Sequence, residues 1–328
     1  MRRGNHLPRL GIFSTVAMLV LSMNTSGASA ASSSHKWSVP VFIGTRGSSS
    51  TQVKYSISCP STTFCAAVDG NGQVHFRRSG VWSSPQTLAV GGSIDTISCS
   101  SKSFCVAIGS GNAALFNGRV WSTEVLIGPA GDTYQVSCPT STFCAAIGAN
   151  GIPGKKSALL TFNGHSWTTY KTSSTGGLKD RLLGVSCATT RFCMAANFDG
   201  EILGFNGSGW SPGHVSGPGG LISVSCPTSR FCMVVTDTGV SMKYQNGKWS
   251  APETITSFTS AGPYSVSCVS STWCSVMGLS GSAVTWIAGR WSTPSTVFSG
   301  GYQAGVAISC SAADNCVAVS DRGMSASQ

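Results

Sequence analysis

The sequence predicts an all-β fold, a ring of seven four-stranded blades. Three observations carry that expectation: a repeat of about 40 residues, one cysteine pair in every repeat, and a tryptophan late in each unit but displaced at the chain ends. Fourteen cysteines fall into seven pairs, Cys59 and Cys65, Cys99 and Cys105, Cys138 and Cys144, Cys187 and Cys193, Cys226 and Cys232, Cys268 and Cys274, Cys310 and Cys316, each with five residues between. The first cysteines advance by 40, 39, 49, 39, 42 and 42 residues, room for about four short strands and their turns, which is one propeller blade.

Within a unit the first strand is expected to end at the first cysteine, as in Ile57-Ser58-Cys59, and the second to start at its partner, as in Phe143-Cys144-Ala145-Ala146-Ile147. Both are short, apolar, β-forming runs. The third strand leads into Asn-Gly in four units, at Asn117-Gly118, Asn163-Gly164, Asn206-Gly207 and Asn246-Gly247, which predicts type I′ hairpin turns with both residues at positive φ. A fourth strand then opens on Trp82, Trp121, Trp167, Trp210, Trp249 or Trp291.

The seventh tryptophan, Trp37, precedes every cysteine pair, while the last unit ends at Gln328 without one. In a closed ring Trp37-Ser38-Val39-Pro40-Val41 completes that last blade and leaves no sheet edge open. A linear stack gains nothing from the offset. The propeller domain is therefore expected to span residues 37–328.

Ahead of it, Arg2, Arg3 and Arg9 precede an apolar run from Leu10 to Met23, and Ala28-Ser29-Ala30 supplies small residues for cleavage. This is the pattern of a secretory signal over residues 1–30, followed by a short linker over 31–36. No cysteine follows it to carry a lipid anchor, and no later run approaches the ~20 apolar residues of a membrane helix. A secreted, extracellular monomer without stable membrane insertion is expected.

An exported chain meets an oxidising compartment, so the cysteine pairs are expected as seven disulfides within hairpins, each contributing roughly 2 kcal/mol for so short a loop. Zinc would need four ligands per site, whereas each unit offers two cysteines and His35, His75, His165 and His214 occupy non-equivalent positions. A thioredoxin-like site has two residues between its cysteines. No metal and no cofactor are expected. The recurring tryptophans, and Phe64, Phe104, Phe143, Phe192 and Phe231 before second cysteines, read as packing between blades.

The block Ser58-Cys59-Pro60-Ser61-Thr62-Thr63-Phe64-Cys65-Ala66-Ala67 resembles the Ser-Cys-Pro-Ser-x-x-Phe-Cys-Ala-Ala repeats of secreted bacterial propellers of WD40, YVTN or BNR type. The resemblance covers residues 37–328. It implies a fold and leaves activity open, since such propellers serve enzymes, lectins and adaptors.

Function is expected where the units differ. The third unit is longest, with an extended loop at Asn150-Gly151-Ile152-Pro153-Gly154-Lys155-Lys156 and a long exit from Thr172 to Arg181. On one propeller face these would lie side by side, making Lys155, Lys156, Lys179, Asp180 and Arg181 a basic lip for an anion or acidic glycan. Asp69, Asp199, Asp237 and Asp321 stand at matching loop positions and read as turn residues, with a ring of weak sites as the alternative.

Without the signal, 18 Lys and Arg face 11 Asp and Glu. They are scattered, without interleaved stacking aromatics, so nucleic acid is not expected. A sialidase-like glycoside hydrolase would need converging carboxylates and arginines. Arg77, Arg78, Arg119, Arg191, Arg230 and Arg290 map to the face opposite the variable loops, leaving Arg46, Arg181 and Arg322, with Glu201, Asp95, Asp132 and Asp180 as scattered acids. The expectation is a non-catalytic module that binds an extracellular glycan, a cell-envelope polymer or a protein; a glycoside hydrolase and a purely structural surface protein are the alternatives.

Overall fold

A computed structural model describes Met1 and residues 36–44, 55–88, 93–123, 125–127, 133–148, 157–170, 182–214, 217–255, 258, 262–299 and 305–328. Beyond Met1 these all belong to one unit, His35–Gln328. The signal at 1–30 and most of the linker lie outside the described residues. No helix among the described residues is long and apolar enough to cross a membrane.

The unit is an all-β, seven-bladed propeller of four-stranded antiparallel blades. Blade one is representative: Tyr55–Ser61, Phe64–Asp69, Gln73–Arg78, then a broken outer strand, Val81–Trp82 and Gln86–Thr87. All seven expected disulfides form, each joining the first and second strands across Cα separations of 3.9 to 4.1 Å. The strands overrun the cysteines, contrary to the expectation that they stop there. Ser61 pairs with Phe64 beyond a bulge, so the hairpin turn is only Thr62-Thr63. The reason is local: a hydroxyl before the turn, such as Ser101 or Thr189, accepts the amide two residues on and holds the turn tight.

The first strands are innermost and neighbour one another around the axis. Their side chains link the blades. The serine before each first cysteine accepts the cysteine amide of the next blade at 2.9 to 3.0 Å, from Cys99 N–H to Ser58 Oγ through Cys310 N–H to Ser267 Oγ, and finally from Cys59 N–H to Ser309 Oγ. Seven such bonds make a closed circuit.

The core is divided among the blade interfaces. Each of seven buried clusters takes in one repeat tryptophan: Trp121 beside Phe64, Phe76 and Phe116, for example, and Trp210 beside Phe205. Burying an aromatic of this size contributes about 2–3 kcal/mol. The repetition of Trp in the sequence is thus a packing requirement.

The ends of the chain meet in the seventh blade. Val41–Phe42 pairs with Met324–Ser327, Val41 opposite Ser325 and Phe42 opposite Met324. Ser38 N–H donates to Ser327 O at 2.7 Å and Ser38 Oγ accepts Ser327 N–H at 3.0 Å. Trp37 packs against the cluster between blades six and seven.

Two expectations about the outer strands need correcting. The fourth strand is interrupted after its tryptophan in blades one, two, five and six, where the next serine turns inward: Ser83, Ser122, Ser250 and Ser292 Oγ accept third-strand amides of Phe76, Leu115, Lys243 and Thr285, and in blades one, five and six a proline without an amide follows within two residues. Among the third-to-fourth turns, positive φ at both residues, the type I′ signature, occurs at Asn246-Gly247, as expected, but otherwise at Ser79-Gly80 and Ala288-Gly289. At Asn117, Asn163 and Asn206 only the glycine has positive φ, and the asparagine Oδ1 accepts the two amides that close a longer turn.

Candidate functional site

The second-to-third turns share a face with the segments that lead into each first strand, since Tyr55 at the head of the first strand pairs with Asp69 at the end of the second. The expected lip, Lys155, Lys156, Lys179, Asp180 and Arg181, lies outside the described residues, as do Arg46, Asp132 and the long segments themselves. Their flanks are described: Ser157 Oγ accepts the Leu182 amide at 2.8 Å, both groups buried.

The matched aspartates do not match. Asp69 stands four residues past Cys65, Asp237 and Asp321 five past their cysteines, and Asp199 six past Cys193. Asp69 aligns instead with Asn197, Thr236 and Ser320, all buried at the base of the turn. Each accepts turn amides: Asp69 Oδ1 those of Asn71 and Gln73, Asn197 Oδ1 that of Glu201, Thr236 Oγ1 that of Val240, Ser320 Oγ those of Arg322 and Met324. Among the described residues this position forms no ring of acids: it holds an uncharged acceptor in three blades and glycine in three others, Gly109, Gly148 and Gly278.

Glu201, the acid on which a hydrolase reading would rest, is committed to the same turn. Its Oε2 accepts Asn197 Nδ2 at 2.6 Å. Among the described residues no group of three or more His, Cys, Asp or Glu is placed to hold a metal ion.

The structure brings together residues the sequence did not single out. In blades four to six the turns and lead-in segments overlap like shingles. Phe198 of blade four covers Gly220 before blade five, where a Cβ would collide with its ring. Gly220 N–H donates to Asp237 Oδ1 at 2.8 Å and Asp237 N–H to Gly220 O at 3.0 Å. The Asp237 backbone in turn covers Gly262 before blade six, and Leu279 N–H donates to Gly262 O at 3.3 Å. Glycine is required at both lead-ins by this close approach.

Along the arc three large apolar side chains remain exposed, Phe198 at 43%, Tyr264 at 49% and Leu279 at 39%. Tyr264 is turned out by a bulge between the paired residues Pro263 and Ser265. Asp199 and Asp237 are exposed beside them. An apolar platform edged by carboxylates suits an apolar ligand bearing positive charge.

The opposite face is built from the cysteine hairpins and third-to-fourth turns. Arg77, Arg78, Arg119, Arg191, Arg230 and Arg290 lie there, as expected.

No protein family matches the chain, and no curated protein does. Solved structures do. The WD40 β-propeller domain of Doa1 is similar at a TM-score of 0.67 and 10% identity, over 88% of this chain and 96% of that one. YCF48 bound to D1 peptide is similar at 0.66 and 12%, over 89% and 94%. YCF48 from Cyanidioschyzon merolae is similar at 0.64 and 12%, over 89% and 98%. At such identities the likeness is one of fold, and it is to WD40-like propellers.

Proposed function

We propose that this protein is a secreted, non-catalytic binding module that holds an extended segment of a partner protein on the face carrying the second-to-third turns. The observation that carries the reading is the exposure of Phe198, Tyr264 and Leu279 along one arc whose backbone is locked by Gly220, Asp237 and Gly262. Rigid apolar anchors on a fixed frame are what peptide recognition needs, because little ordering entropy is lost on binding. Asp199 and Asp237 favour Lys or Arg in the bound segment. A propeller of this shape, YCF48, has been seen bound to a peptide, which supports the use of such a scaffold for that purpose. Seven disulfides suit an oxidising, extracellular setting.

Lys155, Lys156, Lys179 and Arg181, with Asp180 among them, are proposed to extend the same face through blade three and to take an acidic group of the ligand. Selection from a displayed peptide library, with glycan and cell-wall polymer panels alongside, tests both parts. Apolar peptides containing Lys or Arg should be selected and should lose at least tenfold in affinity with F198A/Y264A/L279A. Selection of glycans or polymers whose binding ignores that variant but fails with K155A/K156A/K179A/R181A would replace the peptide reading with the acidic-glycan one.

A further inference from the structure

The face opposite the peptide arc is strongly one-signed. Across four neighbouring blades it presents Arg290 in the sixth, Lys36 in the seventh, Arg78 in the first, and Lys102 and Arg119 in the second, all exposed. Arg191, Arg230 and Lys248 continue the sign through blades four and five. Asp314, in the seventh hairpin, is the one acid among the described residues of this face. Acids elsewhere are drawn to the other face and the outer strands, as Asp69, Asp199, Asp237 and Asp321 show.

Large apolar side chains stand exposed among these cations. Val81 is 72% exposed, Val120 61% and Ile287 41%. Each belongs to a third-to-fourth turn and has a cation beside it: Val81 pairs with Arg78, Val120 follows Arg119, and Ile287 pairs with Arg290. The Arg78 guanidinium is held over the rings of Phe64 and Phe76, at 5.7 and 5.0 Å from their centroids. None of these cations makes an ion pair among the described residues.

We propose that this face docks flat on the headgroup layer of an anionic phospholipid bilayer. The turns are equivalent parts of a repeat arranged around one axis, so their tips share a height, and a plane meets them together. A linear polyanion would follow a single path and reach few of them. Cations are drawn to the negative surface, and Val81, Val120 and Ile287 enter the headgroup region, the combination by which peripheral proteins hold a membrane without crossing it. The peptide arc then faces away from the lipid.

Co-sedimentation of the disulfide-bonded protein with phosphatidylcholine vesicles, with and without phosphatidylglycerol, tests this. Binding is expected only with phosphatidylglycerol and should weaken as salt rises. Each cation removed should cost about five-fold, so R78Q/R119Q/R290Q should lose on the order of a hundred-fold. V81S/V120S, altered only at exposed positions, should also lose vesicle binding while leaving binding to soluble polyphosphate unchanged. Equal sedimentation with both vesicle types would overturn the proposal. So would undiminished vesicle binding by V81S/V120S, which would mark the face as a site for soluble polyanions.

Discussion

Ser309 Oγ accepts the amide of Cys59 at 2.9 Å, although 250 residues separate them in the chain. It is the same bond that joins every other pair of neighbouring blades, and here it spans the seam where the last blade meets the first. Ser309→Ala should leave the Cys59 amide without its acceptor and lower unfolding free energy by about 1–2 kcal/mol, read from urea midpoints. An unchanged midpoint would remove the serine circuit from the energetics of closure.

A second circuit lies three residues before each first cysteine, and it is broken at the seam. Ser56, Thr96, Gln135, Ser223 and Ser265 accept amides of Ile97, Val136, Val185, Val266 and Ile308, whereas Gly184 and Ala307 have no side-chain acceptor to offer. Ala307→Ser should supply one for Ile57 and stabilise the protein by about 0.5–1.5 kcal/mol. Thermal unfolding at fixed pH would read it.

His75 is fully buried, its Nε2 lies 3.7 Å from Asp69 Oδ2, and neither ring nitrogen has a hydrogen-bond partner among the described residues. The equivalent residues in blades two to seven are Ala114, Leu160, Leu203, Met242, Val284 and Ala326, all apolar. Gln73 Oε1 is also buried without a partner among the described residues, and it stands four residues from Asp69, as Glu201 does from Asn197. D69N/H75L should therefore restore the apolar register and let residue 69 donate to Gln73, a gain of about 1–3 kcal/mol. Destabilisation would show that the Asp69–His75 pair is itself a stabilising contact.

Burial, and then the negative charge of Asp69, push the Tyr55 hydroxyl up from its usual 10.0 to about 12. The folded state thus holds this proton more tightly than the unfolded chain. Its contribution is complete below pH 10 and is lost as pH climbs through about 12. Urea midpoints should fall over that window more steeply for the wild type than for Tyr55→Phe. Parallel curves would contradict the assignment.

The ring was legible because the cysteine pair and its preceding serine recur in every unit, a tryptophan follows in the first six, and Trp37 marks where the ring closes. Turn geometry was less so: Asn-Gly at Asn117 and Asn246 looks alike in sequence, but four residues against two between the strands decide whether the side chain or the backbone closes the turn. The exposed arc was hidden for a different reason. Phe198 sits in the fourth unit and Tyr264 and Leu279 in the sixth, and only the overlap of the loops on Gly220 and Gly262 puts them on one surface. A phenylalanine directly before Asp199-Gly200 and a leucine in the matching turn of the sixth unit were the available signals.

Closure of the seventh blade by the N-terminal strand is tested most directly by hydrogen exchange at the amides of Ser325 and Ser327, in the full chain and in one lacking residues 36–43. In the full chain Ser325 pairs with Val41, and Ser327 N–H donates to Ser38 Oγ. Closure predicts slow exchange there that becomes fast on truncation, with a smaller change in the neighbouring strand Asn315–Ser320. Equal exchange at Ser325 and Ser327 in both proteins would mean that the strand does not complete the ring.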